Sequence, residues 1–123
     1  MDTVTVMKAI ADESRLRILS LLRAAGDLCA CEIEAVLGLT QSNASRHLTR
    51  LRDAGLICDD RRGHWVHFQI DAAGFERHGF VAGALDAARS DLPRLADDLR
   101  RLDHYRSSSF TCETIRDWAE ELR

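Results

Sequence analysis

The spacing of apolar positions changes along the chain, and each change marks an element. Met7 to Ala11 reads as the end of a short helix. Asp12 is placed to cap a second helix running to Gly26, with Leu16, Ile18, Leu19 and Leu22 making a wide apolar side. Arg15, Arg17 and Arg23 are expected off that side. Glu32 to Leu37 is a short helix that buries Ile33, Val36 and Leu37 and stops at Gly38. Leu39 opens a turn, and Thr40 can cap a helix from Gln41 to Ala54. Within that helix Ala44, Leu48 and Leu51 recur at helical spacing, so Gln41, Ser42, Asn43, Ser45, Arg46, His47 and Arg50 should cover the other side; Gly55 ends it. The period then drops to two. Leu56 to Asp60 and His64 to Ile70 are strands around Arg61-Arg62-Gly63, with Val66, Phe68 and Ile70 on one face and Trp65, His67 and Gln69 on the other.

From Phe80 onward Val81, Leu85, Ala88, Leu92, Leu95, Leu99 and Leu102 alternate steps of four and three, a heptad seam that calls for a helical partner. Pro93 interrupts it. Ser90 could cap a new helix with Pro93 in its first turn, and the pattern leaves open whether residues 80–104 form one kinked helix or two. After Ser107-Ser108-Ser109, Thr111 to Leu122 makes an amphipathic helix through Ile115, Trp118, Ala119 and Leu122, with Cys112 on the same apolar side. The predicted fold is mainly α with a β-hairpin wing (α+β): a winged helix-turn-helix that dimerises through its terminal helices. Residues 1–106 carry the DNA-binding and dimerisation elements, and 107–123 add a C-terminal helix to the same domain.

At 123 residues the chain is one domain by size, and 46% hydrophobic with 30% charged residues describes an ordinary globular protein. No apolar run approaches the roughly 20 residues that span a bilayer. The first residues lack a basic segment followed by an apolar one, so no secretion signal is expected and the cytoplasm is the default location. A formal net charge of −3 argues against polyanion binding over the whole surface. The distribution says more: Arg46, Arg50, Arg52, Arg61 and Arg62 cluster between Gln41 and His64, whereas the segment after Asp86 is net acidic.

A helix that follows a short helix and tight turn, and precedes a basic hairpin, has the setting of a DNA-reading helix. Its contents suit the task. Gln41 and Asn43 can pair with adenine and Arg46 with guanine; Thr40, Ser42 and Ser45 suit phosphates or bases, His47 shares their face, and Arg50 suits a phosphate further out. Arg61 and Arg62 would reach the backbone or the minor groove. A two-fold dimer would set two such helices about 34–36 Å apart, as a palindrome requires. Double-stranded operator DNA and a second copy of the chain are therefore the expected partners, with no membrane and no enzymatic constellation.

The segments ADESRLRILSLL, DLCACEIEAVLGLTQSNASRHLTRLRDAGLI and DRRGHWVHFQI together resemble the ArsR family of metal-responsive winged-helix repressors, over roughly the first 70 residues. The stretch Asp27-Leu28-Cys29-Ala30-Cys31-Glu32-Ile33 is similar to the sensing segment of arsenic-responsive members. The resemblance implies a homodimer that represses a resistance operon, needs no cofactor to bind DNA, and leaves it when trivalent arsenic or antimony binds, with cadmium and lead as further soft candidates.

Soft thiolates select soft ions. Positions i and i+2 of a helix point roughly 200° apart at 3.6 residues per turn, so Cys29 and Cys31 cannot share one atom inside a regular helix. Either the helix begins after Cys31 or binding unwinds its first turn. Where some members carry a third cysteine, this chain has Glu34. Cys112 is the candidate third thiol, from the same or the partner subunit, against simple burial. Cys58, entering a strand, is expected to be structural. No histidine lies between Asp86 and Asp103, which speaks against an interhelical zinc site. Thiol-redox sensing by the same fold is the alternative to metalloid binding; disulfide-exchange catalysis lacks its usual Cys-x-x-Cys setting.

Overall fold

The computed structural model describes residues 1–121, so Leu122 lies outside the described residues. The order is α1 (Thr3–Ile10), α2 (Glu13–Ala25), β1 (Leu28–Cys29), α3 (Ala30–Leu37), α4 (Gln41–Asp53), β2 (Ile57–Arg62), β3 (Trp65–Ile70), α5 (Ala72–Arg77), α6 (Phe80–Asp91), α7 (Pro93–Arg106) and α8 (Ile115–Glu121). The caps follow the local chemistry. Asp12 accepts from the Arg15 amide and Thr40 from the Asn43 amide, while Gly38, at φ +70°, ends α3 in the left-handed conformation that glycine adopts without strain.

Around α2 the core collects Ile18, Leu19, Leu21 and Leu22, against Ile33 and Val36 of α3, Leu48 and Leu51 of α4, Phe68 of β3, Val81 and Leu85 of α6 and Leu102 of α7. The sheet is antiparallel in the order β1-β3-β2. Two residues are too few to show a period, so β1 has no signature in the sequence. It pairs Leu28 with Phe68 and Cys29 with His67. Short α5 is likewise absent from the sequence pattern. Its Gly74 lies so close to the Gly55 carbonyl that an added Cβ would stand 1.9 Å from that oxygen.

Several expectations are corrected. Arg17 is buried rather than off the core side: its Nε and Nη2 donate to the two oxygens of Asp98 at 2.8 and 2.9 Å, and Nη2 also to the Leu37 carbonyl at 2.8 Å. The heptad seam breaks at Leu92, giving two helices. Ser90 stays inside α6, and Pro93 opens α7, where its missing N–H costs nothing. Val81, Leu85, Ala88, Leu95 and Leu102 are buried within the chain itself, and α7 packs on α2 and α3. Arg61 and Arg62 belong to β2, paired with Val66 and Trp65; the turn is Gly63-His64, because Gly63, at φ +63°, supplies the positive φ that a two-residue hairpin needs. Among the described residues, no helix is long and apolar enough to cross a membrane.

Candidate metal centre and nucleic-acid interface

Cys29 ends β1 in an extended conformation (φ −77°, ψ 162°) and is at the same time the residue before the first turn of α3. Cys31 lies inside that turn. One thiol thus hangs outside the helix and one within it, so the helical angle that would separate them does not apply. Their Sγ atoms are 2.7 Å apart. The helix does not begin after Cys31, as one expectation had it, and no unwinding is needed to bring the pair together. Cys112 joins them from the same chain, its Sγ 3.0 Å from that of Cys29. It sits in the turn before α8, not on an apolar helix face. The three Sγ atoms lie within 4.8 Å of one another, with Cys29 buried and the other two half-buried.

What delivers Cys112 is the docking of α8. Ile115 and Trp118 are buried; the Trp118 ring meets Tyr105 edge-on at 5.2 Å and lies under the Arg101 guanidinium at 5.7 Å. Arg101 in turn donates to the Val36 and Ala35 carbonyls at the end of α3. Cys58 is exposed on β2, away from the cluster.

Glu32 organises the surroundings. It accepts from the Cys29 amide at 2.9 Å and from the Tyr105 hydroxyl at 2.6 Å. Burial pushes the carboxyl up, but the Tyr105 hydroxyl, the Cys29 amide and the neighbouring thiols outweigh it and hold Glu32 below the usual carboxylate range. Two of the thiols go the other way. The hydrogen bond with Cys31, then burial, raises Cys29; burial, then the bond with Cys29, raises Cys112. Burial and the Glu32 bond raise Tyr105. Glu32 was missed in the sequence, although a carboxylate three residues after a helix-capping position is a known signal.

Two residues before Cys29, Asp27 accepts from His67 Nδ1 at 2.6 Å, Gln69 Nε2 at 2.9 Å and Arg62 Nη2 at 2.8 Å. Burial raises its carboxyl, but these three partners together hold it low. No local sequence signal marks Asp27, because all three partners lie on the hairpin.

Of the residues expected on the reading face of α4, Gln41, Ser42, Asn43, Ser45, Arg46 and Arg50 are exposed, with Thr40 exposed at the cap. Arg46 donates to Asn43 Oδ1 at 3.1 Å, so the two present one combined hydrogen-bonding edge. His47 is the exception. It is buried, its Nδ1 3.3 Å from Arg15 Nη1, and so does not stand on the polar face. Arg61 is exposed on β2, while Arg62 is held by Asp27 and Asp60. Arg52 bridges α4 to Asp59 of the wing at 2.9 Å.

A helix-turn-helix whose second helix shows a polar, arginine-bearing face, backed by an antiparallel wing, defines a winged helix-turn-helix domain. Residues 12–58 match the family model described as bacterial regulatory protein, arsR family. The chain is 43% identical over 65 residues to the arsenic resistance transcriptional regulator ArsR1 of Pseudomonas putida, covering 53% of this chain and 51% of that protein, so it spans about half the length of this curated relative. Among solved structures it is similar to a homodimeric winged helix-turn-helix DNA-binding domain from Mycobacterium bovis (TM-score 0.61, 30% identity, 72% of this chain and 80% of that one). It is also similar to the AntR antimony-specific transcriptional repressor (TM-score 0.56, 27% identity, 71% and 79%). The chain belongs to the ArsR family of transcriptional regulators, which are DNA-binding proteins and not enzymes.

Proposed function

We propose that this chain is a metalloid-responsive repressor: a homodimer that holds operator DNA through α4 and the wing and lets go when trivalent arsenic or antimony is captured by Cys29, Cys31 and Cys112. On the DNA side Thr40, Gln41, Ser42, Asn43, Ser45, Arg46, Arg50 and Arg61 make the contacts. The relatives support the ligand class, since one is named for arsenic resistance and another for antimony.

The observation that carries the reading is the convergence of three thiols from one chain within 4.8 Å. Charge balance favours a metalloid hydroxide over a divalent cation there. Three thiols and neutral As(OH)3 give a neutral tris-thiolate and three waters, the thiol protons leaving on the departing hydroxides. Cadmium or lead on three thiolates would instead leave a net negative charge beside the Glu32 carboxylate, in a half-buried site where like charges repel strongly. Coupling to DNA follows from position. Cys31 lies in α3, which leads through one tight turn into α4, and Cys29 lies in the sheet that carries the wing.

Arsenite titration of the purified chain, with sulfur counting by X-ray absorption, tests the reading. Three sulfur neighbours are expected in the wild type and two in Cys112→Ser. The Cys29→Ser, Cys31→Ser double variant should hold DNA and no longer release it in arsenite; release that persists there moves the sensor elsewhere.

A second reading draws on the same distances. With Sγ atoms at 2.7 and 3.0 Å, one equivalent of hydrogen peroxide could oxidise two thiols to a disulfide with release of two waters. DNA release by peroxide at thiol-stoichiometric dose, and none by arsenite, selects it.

A further inference from the structure

Two wing arginines adjacent in sequence sit in opposite circumstances. Among the described residues Arg61 has no ion-pair partner and is exposed, whereas Arg62 is shared between two carboxylates, Asp27 Oδ2 at 2.8 Å and Asp60 Oδ2 at 3.0 Å. Asp27 is more than one half of that pair. It gathers His67, Gln69 and Arg62, three side chains that all project from one face of the hairpin. Asp27 belongs to the segment that enters β1 and ends at Cys29, and Cys29 itself pairs with His67. The hairpin is therefore tied to the cysteine segment twice, by backbone pairing and by one carboxylate that receives three donors.

An isolated surface ion pair is worth little, but a network converging on one half-buried carboxylate is the recognised exception. The charge of Arg62 is already offset by two carboxylates, so a phosphate gains less from it than from Arg61, whose charge has no ion-pair partner among the described residues.

We propose that Asp27 is a positioning residue that fastens the wing to the cysteine-bearing strand, and that of the two wing arginines Arg62 serves this clamp while Arg61 meets the DNA backbone. Movement of Cys29 is then passed to the wing through Asp27, a route separate from the one through α3 and α4. The inference rests on the three-thiol reading only where arsenite is involved; the division of labour between the arginines does not.

The test uses the full chain, a fluorescein-labelled duplex spanning the DNA upstream of its own coding sequence, and sodium arsenite. In the first arm, binding is followed between about 50 and 200 mM salt, and log K falls with log salt by about 0.9 for each phosphate neutralised. Arg61→Gln should lower the slope by about 0.9 for every phosphate that Arg61 neutralises in the wild type; Arg62→Gln should leave it unchanged. A fall in Arg62→Gln equal to that in Arg61→Gln makes Arg62 a phosphate ligand and overturns the clamp. In the second arm, Asp27→Asn should bind arsenite within about twofold of wild type, read by thiolate absorbance, while the arsenite-induced drop in DNA affinity, typically about 5–150-fold for coupled sites, shrinks at least threefold. Asp27→Glu, which keeps the carboxylate, should retain most of that drop. A wild-type drop in Asp27→Asn sinks the proposal, as does a more than tenfold loss of arsenite affinity, which would place Asp27 in the metal site instead. If the wild type itself keeps its grip in arsenite, the three-thiol reading fails and the salt slopes alone decide the role of Arg62.

Discussion

The side chains that fix this molecule are charged ones in unexpected places. Arg17 joins α2 to α7 through both oxygens of Asp98 and to the end of α3 through the Leu37 carbonyl, all of it buried. Removing one partner strands the other's charge. Asp98→Ala should therefore cost about 3–5 kcal/mol in urea unfolding, whereas Arg17→Met with Asp98→Leu should come close to neutral, because replacing a buried pair removes both desolvation costs. His47 sets a pH dependence of opposite character. Its burial, aided by Arg15 and Arg46, pulls the ring below its ordinary value of 6.5. Folded His47 thus stays neutral where the unfolded chain takes a proton. Its contribution is complete above pH 6.5 and is lost as pH falls from 6.5 toward the lowered folded value, below which the loss levels off. Urea midpoints at successive pH values should fall more steeply over that interval for the wild type than for His47→Gln; equal slopes would show that the ring titrates normally.

Among the elements, α8 matters most, because it alone brings Cys112 to the other thiols. Its anchor is Trp118, buried against Tyr105 and Arg101. Trp118→Ala should cost α8 about 3 kcal/mol of docking, on the order of a hundredfold in the docked population. Since Ile115 and Ala119 are the other described side chains of α8 packed on the core, the loss should be local: faster alkylation of Cys112 by iodoacetamide with the main unfolding transition nearly in place. Slow alkylation in this variant would mean that the turn holds Cys112 unaided. The elements themselves were largely legible, because their signals are local. Asp12, Thr40 and Gly38 mark helix ends by chemistry confined to one turn, and Phe68 shows its face by alternation. Even His47 could have been read correctly, since Ala44, His47, Leu48 and Leu51 follow the i, i+3, i+4, i+7 spacing of a buried stripe. What stayed hidden depends on distant partners. Arg17 meets Asp98 81 positions away and Asp27 meets His67 40 positions away, and nothing within a turn of either residue announces the other; Cys112 is legible as a candidate third thiol, but not the turn that delivers it from the same chain.

At the scale of the whole molecule, the heptad seam that invited a partner helix is spent inside the chain, yet apolar surface remains elsewhere. Val4 and Met7 are 59% and 52% exposed and, spaced by three, share one side of α1; Met1, just before the helix cap, is 62% exposed. A monomer gains nothing from presenting that stripe to water, whereas a two-fold dimer formed on this side would bury it against its own copy, as an isologous contact does. The similar Mycobacterium bovis domain is homodimeric. The proposed dimer would also give the DNA face its reach, with one α4 on each half of a palindrome, one full turn of DNA apart. Val4→Glu with Met7→Glu should therefore leave the fold intact, since both side chains already face water, and shift sedimentation equilibrium from dimer to monomer. Operator affinity should fall by about two orders of magnitude or more as engagement of the second half-site ceases to be intramolecular. A double variant that still sediments as a dimer would place the interface on another face, and with it the spacing of the two reading helices.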